Sequence, residues 1–163
     1  MSDASLSAEL PQLIQIASMT LGPREQCREK AWDLLVDFPT WQGVIPGLTA
    51  VELEHANPAG RGTVLSLQFG NHGDKHRELW SISHWHPGQR LELIKTTAQS
   101  AAGLRFDLDA GQDSEHVKVG IALQVDSYGF SRLTLPISRA LKSRRMRTRF
   151  IPLLKHLQEQ LLA

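Results

Sequence analysis

Cysteine occurs once in the chain, at Cys27, and aromatic residues make up only 6% of it. A lone cysteine excludes an intrachain disulfide and any multi-cysteine metal site. A reducing cytoplasm is therefore the expected setting. Apolar residues never continue for the roughly 20 positions that a membrane span needs. Residues 1–10 carry Asp3 and Glu9 but no basic residue, which is not the pattern of a secretory leader. There is no repeat, no low-complexity tract and no Pro/Gly/Ser-rich linker. One domain over residues 11–163 is expected, after a loose lead-in over residues 1–10. What is present is ordinary globular composition: 163 residues, 41% hydrophobic and 21% charged. A chain of this length buries roughly 70% of its unfolded surface.

Charge of one sign is also lacking, with a formal net charge of +1, but the balance is uneven. Residues 132–163 hold eight basic residues, among them Arg144, Arg145, Arg147 and Arg149, against one acid, Glu159. A basic tail on an acidic body marks either a polyanionic partner or a segment that docks on its own body. Aromatic residues do not interleave with the arginines apart from Phe150, so a single-strand nucleic-acid platform is not expected. An anionic membrane surface met by Arg144, Arg145 and Arg147 is the alternative, at roughly 1 kcal/mol per basic residue near the headgroups.

Periodicity divides the chain into three parts. Leu13–Leu21 reads as a strand, and residues 24–37 show helical spacing of Cys27, Ala31, Trp32, Leu34 and Leu35. Pro39 is expected to stop that helix, with a second short helix over Thr40–Ile45. The period then becomes two. Strands are expected at 48–55, 63–69, 75–85, 90–98, 104–108 and 117–125, with a small-residue loop over Gln99–Gly103 and a turn at Gly111-Gln112-Asp113. Helical spacing returns over Ser138–Leu162, where Pro152 predicts a kink or break near Thr148. An antiparallel meander with one apolar face must bury that face, and the long helix is its partner.

Several segments resemble the helix-grip proteins of the SRPBCC superfamily: the START domains, the birch-pollen-allergen-like proteins and the bacterial polyketide cyclases. Residues 31–41 (Ala-Trp-Asp-Leu-Leu-Val-Asp-Phe-Pro-Thr-Trp) match the family's helical pair. Residues 45–51, beginning Ile45-Pro46-Gly47, resemble its entry to the second strand. Gly60-Arg61-Gly62-Thr63 matches the glycine before the third strand, and Leu154-Lys155-His156-Leu157 the end of the last helix. The resemblance covers about residues 12–162. It implies an α+β helix-grip fold: a curved antiparallel seven-stranded sheet wrapped around a long C-terminal helix, with two short helices between strands 1 and 2. It also implies a cavity between sheet and helix. In the resembling aromatase/cyclases, the positions of Trp41, Ile45 and Leu48 lie at the cavity mouth. Residues 81–87, Ser-Ile-Ser-His-Trp-His-Pro, are similar to their fourth strand, but Trp85 stands where their pocket arginine would be. That departure speaks against cyclase chemistry.

The residues expected around a ligand follow from this. On strands and helix they are Leu65, Leu67, Phe69, Leu104, Phe106, Val119, Ile121, Met146, Phe150 and Leu153, with Trp41 and Ile45 at the mouth. The strand 75–85 has two frames. Alternation favours Glu78, Trp80, Ile82 and His84 inside. The cyclase resemblance favours Leu79, Ser81, Ser83 and Trp85 inside, and this second frame is adopted. It turns Arg77 inward, and Glu78, with Asp107 and Asp109, outward. A carboxylate that did lie inside would have its pKa raised by desolvation and would suit a general base. The two serines have no evident base beside them, so no catalytic residue is assigned. His84 and His86 share a face, but a metal site needs a third ligand, for which His72 and His76 are the candidates without a spacing that fixes either, and no metal or cofactor is expected. Cys27 lacks the context of a reactive thiol.

The expected function is the binding of a small lipophilic molecule, as a carrier or sensor, through apolar area burial at roughly 25 cal/mol per Å². A polyketide cyclase/aromatase-like enzyme and a membrane- or ribosome-interaction protein are the alternatives. Monomer and homodimer are both open.

Overall fold

In a computed structural model of the chain, residues 13–55, 58–70, 73–98, 100–109, 116–127 and 135–163 are described. The lead-in over residues 1–10, the turn at 111–113, and Asn57, Asn71 and His72 of two other expected turns lie outside them. Strand β1 (Ile14–Pro23) runs directly into helix α1 (Arg24–Val36). A 3-10 helix follows at Phe38–Gly43, two residues earlier than expected. Pro39 occupies its first turn, where the missing N–H costs nothing, so here proline starts a helix as well as ending one. Six strands then meander: β2 (Leu48–Glu54), β3 (Val64–Phe69), β4 (His76–His86), β5 (Arg90–Thr96), β6 (Ser100–Asp109) and β7 (His116–Ser127). Helix α2 (Leu135–Leu162) closes the chain.

The seven strands form one antiparallel sheet in the order β1-β7-β6-β5-β4-β3-β2. The first strand thus lies beside the last, and α1 with the 3-10 helix carries the chain between opposite edges. This is the expected α+β helix-grip architecture. The expected loop over Gln99–Gly103 is corrected from Ser100 onward, which belongs to β6. Ala101, Ala102 and Gly103 show no apolar alternation, but β6 is an inner strand and its backbone pairs with β5 and β7 on both sides. Helix α2 is unbroken through Pro152. Proline deletes one hydrogen bond to the carbonyl of Thr148. Phe150, Leu153, Leu154 and Leu157 flank that point and are all buried, which keeps both halves on the sheet.

A one-residue irregularity in β4 decides what faces the helix. Ile82 pairs with Leu93 and His84 with Glu92, so Ser83 is the extra residue of a β-bulge. Before the bulge Glu78, Trp80 and Ile82 are buried on the concave face, at 4%, 2% and 1% exposure. After it the parity switches, and Trp85 joins that face opposite Leu91. The adopted frame is therefore corrected for Leu79 and Ser81, which lie on the convex face, Leu79 being 50% exposed. It is also corrected for Arg77, whose guanidinium pairs there with Glu54 at 2.7 Å and donates to the Ser66 hydroxyl. Ser83 sits at the bulge, its hydroxyl 3.4 Å from the Glu92 carbonyl.

Candidate functional site

The concave face has two unlike ends. At the end next to α1, apolar helix positions converge with the far end of β4. Trp32 meets Trp85 edge to ring at 5.2 Å, and Phe38 meets Trp41 at 5.1 Å. Trp41 in turn contacts Phe106 of β6 and Phe150 of α2, with centroids at 6.0 and 5.8 Å. Its indole N–H donates to the Leu35 carbonyl at 3.0 Å, so its one polar atom is satisfied inside the 31–41 segment. Ile45, Leu65, Leu67, Leu104, Val119, Ile121, Met146 and Leu153 continue the apolar interior from there, all buried.

At the opposite end a carboxylate is buried. Both Glu78 oxygens accept from Arg149 at 3.2 Å, and Oε2 also accepts from the Trp80 indole at 3.0 Å. The Lys95 ammonium lies 3.5 Å from Oε1 and His76 Nε2 lies 3.3 Å from it. Arg149 is 7% exposed and its guanidinium stacks 3.7 Å above the ring of Phe69. Burial favours the neutral acid, but the charges of Arg149 and Lys95 and the donated hydrogen bonds outweigh it. The Glu78 carboxyl is held below the usual carboxylate range. The expectation for a carboxylate inside is thus corrected: Glu78 is an anion already engaged, with a lowered pKa, and is not poised as a general base.

The remaining expected residues scatter. Arg144, Arg145 and Arg147 are exposed on α2, and Arg145 reaches His76 Nε2 at 3.3 Å. His84 and His86 stack on each other at 4.4 Å. His72 lies outside the described residues, and among those described no cluster of three His, Cys, Asp or Glu is placed to hold a metal. Asp107 pairs with Arg90 and Arg105, and the side chain of Asp109 lies outside the description. Cys27 is buried. The sequence reading missed Glu78, Arg149, Trp80 and Lys95 as a group. Two signals were there: the alternation of Trp80 with Ile82, and the presence of Arg149 inside the apolar stripe Met146, Phe150, Leu153.

The helix does not cover the sheet evenly. Its backbone lies closest to β1, β7 and α1. Toward β3 and β4 it is joined by long side chains, Arg149 reaching Phe69 and Glu78, and Arg145 reaching His76. On edge strand β2, Val51 and Leu53 pair with Leu67 and Leu65 and so extend the apolar concave surface outward. Leu53 is 39% exposed. A separate groove of about 270 Å³ lies on the convex face, bordered by Leu13, Glu92, Ile94, Gly103 and Gln124.

No protein-family model matches the sequence, and no curated protein matches it. Solved structures do match in fold. The di-domain ARO/CYC StfQ from the steffimycin biosynthetic pathway superposes with a TM-score of 0.69 at 12% identity, over 90% of this chain and 49% of that one. The chain thus spans about half the length of that protein. Ara h 8.0201 gives 0.64 at 14% identity, over 93% and 97% of the two chains. A START superfamily protein from Mycobacterium smegmatis gives 0.57 at 12%, over 91% and 98%. The chain therefore has the helix-grip fold that these structures share. At these identities the likeness establishes fold and not activity.

Proposed function

We propose that the chain binds a small lipophilic molecule between the concave face of the sheet and α2, as a cytoplasmic carrier or sensor. The observation that carries this reading is the uneven seating of α2. Its backbone approaches β1 and β7, while toward β3 and β4 the long side chains of Arg149 and Arg145 make the polar and ring contacts described, beside an apolar wall. A ligand in that region contacts Leu65, Leu67, Leu104, Met146 and Phe69, with the rings of Trp41, Phe106 and Phe150 as its inner limit. The apolar surface at half-buried Val51 and exposed Leu53 is the entrance. Affinity arises from burial of apolar area, at roughly 25 cal/mol per Å². A cyclase reading has less support, because the one buried carboxylate among the described residues is ion-paired and Trp85 packs on Trp32.

The test is titration of the purified protein with decanol, read by intrinsic fluorescence. Trp41 and Trp80 are buried in the concave face and Trp32 and Trp85 pack at its end. Saturable one-to-one binding that Leu104→Trp abolishes, with cooperative unfolding retained, is the expected result. Absence of saturation, or identical titration by Leu104→Trp, counts against the site. Native mass spectrometry of the protein as purified adds the chemical class of any retained adduct.

A further inference from the structure

Helical phase splits the basic run of α2 into two faces. Arg144 and Arg147 point to solvent. Lys142, Arg145 and Arg149, spaced by three and four residues, share the face turned toward β4 and β5. There they meet His76 from the start of β4 and Lys95 from the end of β5. Among the described residues, Glu78 is the only carboxylate in ion-pair contact with any of this group. One carboxylate is thus set among four permanent cations.

Glu78 and Arg149 are already committed to each other, to Trp80 and to the Phe69 ring. The surplus is Lys95, Lys142 and Arg145. Their other polar partners are not carboxylates: the Ser100 hydroxyl lies 3.4 Å from the Lys142 ammonium, and Arg145 lies 3.3 Å from the His76 ring nitrogen. Lys95 hangs 5.7 Å over the Trp80 ring and is 30% exposed. Partial burial and then the charge of Lys95 lower the pKa of Lys142, and burial and the charge of Arg145 act in the same direction on Arg149. Lys95 at 3.5 Å from the Glu78 carboxylate, and Arg145 on the His76 ring that lies 3.3 Å from the same carboxylate, gather like charges of β5 and α2 around one anion where the apolar wall ends, and like charges so gathered repel. A bound oxyanion relieves that repulsion and accepts charge-assisted hydrogen bonds. Glu78 pins Arg149 as a fixed floor beneath it.

We propose that this cluster receives the oxyanion head group of an amphiphile whose apolar chain lies along the concave face, with Lys95, Lys142 and Arg145 as the donors. The assignment rests on the lipophile reading above and sharpens it from any apolar molecule to an anionic amphiphile.

The experiment compares three probes on the full chain at low salt and below micelle formation: decyl phosphate, decanol and inorganic phosphate. Decyl phosphate is expected to bind about tenfold or more tighter than decanol, the scale of a charge-assisted hydrogen bond. Lys95→Met/Lys142→Met removes that preference and leaves decanol binding intact. Arg145→Gln, at an exposed position that keeps the Glu78–Arg149 pair, reduces the preference in part if the double variant folds poorly. Arg144→Gln/Arg147→Gln, on the opposite face, changes nothing. Equal binding of decyl phosphate and decanol, unchanged in the lysine variant, overturns the head-group site and leaves the lipophile reading standing. Inorganic phosphate binding as tightly as decyl phosphate, with no decanol binding, overturns the amphiphile and the lipophile reading together and leaves a free-anion site. Failure of all three probes to bind overturns both readings.

Discussion

At one end of the concave face Trp32, Phe38, Trp41 and Trp85 meet ring to ring, and the buried Trp41 indole is satisfied by a carbonyl six residues away. At the other end Glu78 and Arg149 meet across 71 residues of sequence, with His76 and Lys95 at the rim. The first end is held by area burial and ring packing, which involve no ionised group and are tolerant of pH and salt. The second is held by charges that must stay paired, because an uncompensated buried ion costs several kcal/mol. The aromatic end is thus suited to be a rigid floor, and the ionic end to be the responsive one.

Trp41→Ala probes the floor and carries the largest expected loss, about 4 kcal/mol from lost transfer energy and a residual cavity. Denaturant unfolding at neutral pH measures it. Arg149→Met leaves Glu78 buried without its main partner and is expected to cost about 3 kcal/mol at pH 7. Glu78→Gln/Arg149→Met should recover much of that loss, and a double variant as unstable as the single one would show that Arg149 acts through packing on Phe69 instead.

The pH dependence separates the ends further. Glu78 has a folded pKa below its unfolded one, so its contribution is complete above the unfolded value of about 4.3 and is lost as pH falls through the folded value. Wild type should therefore lose stability relative to Glu78→Gln as pH falls below about 4.3, whereas Trp41→Ala should run parallel to wild type throughout. Gly70→Ala tests a third position, with an expected cost of about 2 kcal/mol. Gly70 has φ +106° and an added Cβ would lie 2.0 Å from the Asp74 carbonyl oxygen, so both backbone strain and a clash oppose alanine. The smallest effect belongs to Arg144→Gln/Arg147→Gln, within about 0.5 kcal/mol, as both side chains are solvated.

The aromatic end was legible in part. Residues 31–41 are contiguous and their helical spacing places Ala31, Trp32 and Leu35 on one face, but Trp41 and Ile45, expected at a cavity mouth, are buried in the interior, and Pro39, expected to stop a helix, lies in the first turn of the next one. Leu65, Leu67, Leu104, Phe106, Val119 and Ile121 were legible too, because period-two alternation survives wherever a strand is regular. The ionic end was not. The frame of β4 was anchored at Trp85 and carried backward through Ser83, and a one-residue bulge there reverses the parity of everything before it. That error put Leu79 and Ser81 inside and Glu78 outside. It also hid the partner of Arg149, which then read as one more residue of a basic run.

Composition and periodicity alone determined the order of elements, the antiparallel meander and the apolar stripe of α2, because these depend on which residues repeat at 2 and 3.6 positions. Tertiary structure alone decided which cations of the 142–149 segment face the sheet, that Ser83 is bulged, and that Glu78 lies buried against Arg149. Those outcomes depend on strand register and on the meeting of residues far apart in the chain, and no local pattern encodes either.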